Sequence, residues 1–219
     1  MPKNKKKKKV AKKVTVQSQA DSVIDTMISE DFVELYNVLH EFRKKLVWNS
    51  MLGFVRGLRF SARLIYIIRK RLKGKPLTVD WGHIVDKAEK KFSRECDIII
   101  YNGKIAQSWN GHNGEGSPVM SFKFIASKDV AAVISCKSMI RGSDIDKEFL
   151  DDVKEYSRNI YLFAECCPKG KFEAIRTKAI EAGYKKFWCL YEWDPKKPEY
   201  AERREPDWRD FTSSVAKFR

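Results

Sequence analysis

Asp97 and Lys137 each stand at the end of an apolar run: Asp97 opens "DIII" and Lys137 closes "AAVISCK". An ionised side chain taken out of water without a partner is costly, so each needs something to meet it. If the two runs are neighbouring strands, the carboxylate and the ammonium converge at one point of a sheet. That pairing suits phosphodiester hydrolysis. A carboxylate can hold a divalent ion, because Mg²⁺ takes oxygen ligands. A cation can orient water and offset the charge that develops on phosphate, and burial or a neighbouring charge tunes a lysine for the task. The plainer outcome of the same two residues is a salt bridge, or a lysine that snorkels to solvent.

The elements that must position them follow from periodicity. Val23, Met27, Phe32, Leu35, Leu39, Phe42 and Leu46 recur at helical spacing, which predicts a helix from Asp21 to about Trp48. A second helix is expected over about 50–72 and carries Arg56, Arg59, Arg63, Arg69, Lys70 and Arg71. Those cations form either a solvated face or a face toward DNA. Gly74 and Pro76 end it. Strands are expected at 77–86, 96–102, within 119–137 as one or two, at 160–167 and at 185–193. Helices are expected at about 144–159, capped by Ser143 or Asp144, and at 171–184 with Gly183 near the end. Residues 103–118 read as a Gly, Asn and Ser-rich loop. The order implies a mixed α/β architecture around one central sheet.

Composition narrows the partners. The chain has 219 residues, 43% of them hydrophobic, and a net charge of +15. Eight lysines and no acid lie in residues 1–13, and removing them still leaves +7. A balance that basic favours a polyanion. The lysine run has nothing to bury and is expected to be a disordered tail with sequence-independent phosphate affinity, or a solubilising or targeting segment. Cys96, Cys136, Cys166, Cys167 and Cys189 form no CxxC pair, and the histidines are His40, His83 and His112. A zinc framework and a disulfide scaffold are excluded, and a reducing cytoplasm is the expected location. No apolar segment follows the basic N-terminus, so no signal peptide is expected. The apolar windows near 46–68 are broken by arginines, so no membrane partner is expected.

The order of elements, the Asp of "CDIIIYN" and the "ISCKSMIR" run at 134–141 resemble the PD-(D/E)xK nuclease superfamily. They closely resemble its Ser-Cys-Lys branch, restriction endonucleases that recognise CCGG-containing sites. The resemblance covers roughly 95–165. It departs from the superfamily pattern at Cys96, where a Pro is usual, and at Ser135, where an acid is usual. It implies a restriction-endonuclease-like core, a central mixed sheet flanked by helices, with an N-terminal helical region packed on it. The implied organisation is a basic tail at 1–20, the helical region at 21–76, the nuclease core at 77–193 and a polar tail at 194–219.

The resemblance also implies a Mg²⁺-dependent DNA endonuclease, restriction-like or defence-related, with Mn²⁺ able to substitute. Asp97, Ser135 and Lys137 would be its catalytic positions. The metal would lie between Asp97, the carbonyl of Cys136, an acid of the following helix and Glu41. Glu34 lies on the same first helix. The branch places its substitute acid fourteen residues after the Lys, here Asp151. Periodicity favours another position. Ile145, Phe149, Leu150, Val153 and Tyr156 define the buried face at about 100° per residue, and Asp151 points nearly opposite. Asp152 and Glu148 sit nearer its edge, and the alternative reading makes all three acids a solvated face. Lys137, Ser138 and Arg141 are the implied DNA contacts. The loop "RGSDID" lacks the second Arg of the CCGG pattern, so that specificity is not carried over. Trp109 could stack on a base or anchor its loop. Nucleases of this kind act as homodimers or higher oligomers so that both strands are cut. The alternative is a non-catalytic nucleic-acid-binding protein on the same fold.

Overall fold

Helical residues 30–37 and 39 (α1) place Phe32, Leu35, Tyr36 and Leu39 in the core. This computed structural model describes residues 30–37, 39, 52–103, 107–112, 118–194, 196–197 and 201–218. The expectations for 1–29, among them the basic tail, lie outside the described residues. The second helix, α2 (Leu52–Leu72), buries Phe60, Leu64, Ile68 and Leu72, a stripe spaced by four residues. Its last turn carries Arg69, Lys70 and Arg71, the sign of charge that the negative end of a helix favours.

Nine strands form one mixed sheet among the described residues. They are β1 (Leu77–Asp86), β2 (Lys91–Phe92), β3 (Cys96–Asn102), β4 (Gln107–His112), β5 (Pro118–Ala126), β6 (Val130–Lys137), β7 (Ile160–Pro168), β8 (Phe187–Trp193) and β9 (Ala201–Arg203). The order is β4-β5-β1-β3-β6-β7-β8-β9, with β2 hairpinned onto β1. Pairs β6–β7 and β7–β8 are parallel, and β3–β6 is antiparallel. Strands β7 and β8 read as continuous apolar runs because helices cover both of their faces.

The two crossover helices, α3 (Lys147–Lys154) and α4 (Phe172–Ala182), pack on one face with Phe149, Leu150, Val153, Phe172 and Ile175. Right-handed crossovers between successive parallel strands put both on that same side. The other face is covered by α1, α2 and a C-terminal helix, α5 (Glu205–Lys217). The expected α/β architecture with a mixed sheet flanked by helices is therefore what the chain adopts.

The differences are local. Residues 201–217, read as part of a polar tail, add strand β9 and helix α5, which buries Trp208, Phe211 and Val215. Strand β4 forms inside the region read as a loop, because β5 supplies its partner. Helix α3 is shorter than expected and is capped by Asp146, whose carboxylate accepts from the Phe149 N–H at 2.8 Å. Gly82 adopts φ 143°, and a Cβ there would lie 2.1 Å from the Lys123 carbonyl oxygen. Only glycine lets β5 run against β1 at that point.

Candidate active site

Alternation along the strands sets which residues share a face. On β6, Ala132, Ile134 and Cys136 enter the cluster under α2, while Val133 enters the cluster under α3 and α4. Ser135 and Lys137 continue the Val133 side. On β3, Ile99 and Tyr101 belong to that same side, which assigns Asp97 to it as well. The ends of β3 and β6 thus bring Asp97, Ser135 and Lys137 to one corner.

The Asp97 Oδ2 accepts from the Cys136 N–H at 2.8 Å and faces the Ser135 hydroxyl at 3.5 Å. The β3–β6 ladder runs only from Ile98↔Ile134 to Tyr101↔Val130, so the carboxylate takes up a backbone N–H beyond the ladder's end. Burial pushes the Asp97 carboxyl above the usual carboxylate range. The Cys136 N–H and the Lys137 charge oppose that shift, and Glu95 adds to it. Lys137 is half-buried, and its side chain makes no hydrogen bond or ion pair with a described residue. The Cys136 side chain points to the opposite face, where burial holds its thiol well above the usual range. That argues against a thiolate nucleophile.

The acids of α3 are engaged elsewhere. Asp152 accepts from the Arg94 N–H at 2.7 Å, and Glu148 pairs with the Arg94 guanidinium at 3.0 Å. Asp151 is exposed and pairs with Lys154 at 3.3 Å. Of the three, Asp152 lies nearest the entry to β3, since the backbone N–H it accepts belongs to Arg94, two residues before Cys96; burial pushes the Cys96 thiol up to about 12. None of the three bonds to Asp97, Ser135 or Lys137. Glu34 sits on the α1–α2 side and faces Arg63 at 3.5 Å. Glu41 lies outside the described residues, as does the Trp109 side chain. Among the described residues, no three or more His, Cys, Asp or Glu side chains gather as a metal centre.

Arg141 is exposed in a loop pinned at both ends. Ile140 N–H donates to the Cys166 carbonyl at 3.0 Å, and Asp144 closes a turn on the Arg141 N–H at 2.7 Å. Ser138 is half-buried, and its carbonyl accepts from the Cys166 thiol at 3.6 Å. Three cations in the last turn of α2 are held by acids of the fold. Arg69 binds Asp80 at 2.7 Å, while Lys70 and Arg71 clamp Asp31 at 3.0 and 2.7 Å.

One member of the corner is not evident from sequence. Tyr184 is 2% exposed, and its buried hydroxyl completes no hydrogen bond. Burial raises its phenol above the usual range, Asp146 and Asp97 add to that, and the nearby Ser135 opposes it. In sequence Tyr184 simply follows Gly183, the helix terminator at φ 113°, and its N–H bonds back to Ala179 at 3.1 Å. Only the tertiary register turns its ring toward Ser135.

The cAAA-bound form of NucC from P. aeruginosa ATCC27853 superposes with a TM-score of 0.56 at 10% identity, over 85% of this chain and 90% of that one. The chain resembles the restriction-endonuclease-like fold of NucC. The cAAA-bound NucC of E. coli MS115-1 gives the same TM-score and identity over 85% and 89% of the two chains. Its apo form gives 0.50 at 11% identity over 85% and 92%. No protein-family model and no curated protein matches the sequence. The likeness to NucC concerns the fold and carries no information on the CCGG-cutting branch. No helix among the described residues is long and apolar enough to cross a membrane.

Proposed function

We propose that this chain is a divalent-metal-dependent endonuclease that hydrolyses DNA phosphodiester bonds at the Asp97–Ser135–Lys137 corner. The observation that carries the reading is the Asp97 carboxylate, fixed by the Cys136 N–H on the sheet face shared with Lys137. It stands on a restriction-endonuclease-like fold.

The donor set fits a hard ion. Asp97 offers carboxylate oxygen and Ser135 a hydroxyl. The N–H and C=O of an extended residue point the same way, so the Cys136 carbonyl faces the side from which its N–H meets Asp97. Mg²⁺ needs only one or two carboxylates, keeping water and substrate phosphate as its other ligands, and Mn²⁺ takes the same donors. A divalent ion held there supplies Lewis-acid polarisation of a phosphoryl oxygen. We assign the further acid to Asp152, which lies nearest the entry to β3, with Asp151 as the choice that spacing favours. Glu41 is retained as an outer acid of the site.

The chain's own groups do the rest. Lys137 brings an ammonium to the corner, half out of water and without a partner among the described residues, where it offsets charge on the phosphate oxygens in the transition state. Water attacks phosphorus in line and the bond to the 3′ oxygen breaks, leaving 5′-phosphate and 3′-hydroxyl ends. Ser138 and Arg141, on the loop that leaves β6, would grip the substrate beside the cut. A homodimer or larger assembly would place two such corners on opposite strands.

A second reading, a nucleic-acid-binding protein without cleavage, is favoured by one observation: Asp97 is the only described acid bonded into the corner. Incubation of plasmid and genomic DNA with Mg²⁺, Mn²⁺ or EDTA separates the two. Metal-dependent nicking or linearisation supports the nuclease. Retained binding with no cleavage in either metal supports the binding protein.

A further inference from the structure

The basic side chains of α2 and those lining one side of α4 have opposite fates. On α2 the described side chains of Arg63, Arg69, Lys70 and Arg71 are neutralised by Asp31, Glu34 and Asp80. Around α4 the opposite holds. Arg141, Lys147, Lys171 and Lys178 make no side-chain hydrogen bond or ion pair with a described residue, and all four are exposed. They surround two cavities of about 390 and 320 Å³ between α4 and the loop that joins β6 to α3. The cavities share Gly142 and Lys178 and so form one groove. Glu181 is the single acid lining it.

Topology puts this groove beside the candidate site. The parallel strands β6 and β7 end at Lys137 and Pro168, and the antiparallel β3 begins at Cys96, all at the same end of the sheet. Pro168 lines the start of the groove, and the loop carrying Arg141 leaves Lys137 directly. The floor is made of small or apolar groups. Gly142 is one of them, and it leaves room for Lys178 to lie across the waist, 3.2 Å from where a Cβ would be. Among the described residues, no aromatic ring lines either cavity.

We infer that this groove is a backbone-binding channel for the duplex DNA strand that leaves the Lys137 corner, gripped through its phosphates and not through its bases. The inference rests on the nuclease reading for its occupant and on charge and geometry for its position. Among the described residues, four cations without a side-chain partner line the groove against one acid, which complements a polyanion. From Lys171 to Ala182 the helix rises roughly 16 Å at 1.5 Å per residue. That length matches about five base-pair steps of duplex, at roughly 3.4 Å of rise each along the helix axis.

Binding of the full-length chain to a labelled duplex, measured in EDTA across a salt series, tests the channel without requiring cleavage. The variants are Lys171→Ala/Lys178→Ala and, at the opposite end of the sheet, Lys73→Ala/Lys128→Ala. Thermal melts establish that both are folded. The groove pair is expected to weaken binding about tenfold at moderate salt and to lower the salt slope by roughly two. The opposite pair should bind as the wild type does. Wild-type affinity and slope in the groove pair would overturn the channel, even if the protein cuts plasmid. A groove-pair defect in a protein that never cuts would uphold the channel and sink the nuclease reading alone.

Discussion

Replacing Asp97 with Asn and with Ala separates its structural role from its chemical one. The carboxylate accepts the Cys136 N–H at 2.8 Å where the β3–β6 ladder has ended. Asn keeps an acceptor and removes a buried charge, whereas Ala leaves the N–H without a partner. An unsatisfied buried donor costs about 1–3 kcal/mol. In a chain of this size that separates the two variants by roughly 2–12 °C in melting temperature, with Ala the lower. The pH dependence carries its own sign. The folded protein holds the Asp97 carboxyl above its ordinary range, chiefly through burial. It therefore keeps a proton that the unfolded chain has lost. The stability from that proton is complete below the ordinary carboxylate pKa and declines as pH rises through the folded value. Asp97→Asn should lack that decline. Calorimetric or circular-dichroism melts from pH 3 to 8 (about that span brackets ordinary and raised carboxylates) read both effects. Equal melting of the two variants would refute the bonding argument, and metal-dependent cleavage by Asp97→Asn would refute the site.

Other outcomes follow from packing. Trp208 is fully buried, with its ring 5.3 Å from Phe211 and 6.2 Å from Phe32. Trp208→Ala should cost about 3–5 kcal/mol and lower the melting temperature by roughly 6–20 °C; a near-native melt would mean that α5 does not close the core. Gly82→Ala drives a Cβ into the Lys123 backbone and should cost roughly 3 kcal/mol. Unchanged melting would contradict the β1–β5 pairing. Tyr184→Phe removes a buried hydroxyl that completes no hydrogen bond, so it should melt no lower than wild type. A clear drop would reveal a bond at that hydroxyl.

The strands nearest the candidate site were the most legible part of the sequence. The limits of β1 and β3 coincide with those expected, because their apolar runs end sharply in charged or turn residues. The Ser135–Lys137 run stands out for the same reason: a polar end on a buried strand. What escaped depends on partners distant in sequence. The polar strand β4 is held by β5. In α5, Trp208, Phe211 and Val215 are spaced as a helix face, but acids and bases surround them and mask the stripe. Whether the arginines of α2 face solvent or the fold depends on where Asp31 and Asp80 arrive. Tyr184 reaches Ser135 through the packing of α4 on β7 and β8, which no local pattern announces.

The central claim concerns Lys137. Its most direct test is the single-turnover cleavage of supercoiled plasmid in Mg²⁺, with protein in saturating excess, comparing wild type with Lys137→Ala. Loss of one preorganised group that offsets transition-state charge should slow the cut by about 10²–10³ while DNA binding stays within a few-fold. Cleavage by Lys137→Ala at the wild-type rate would contradict the account.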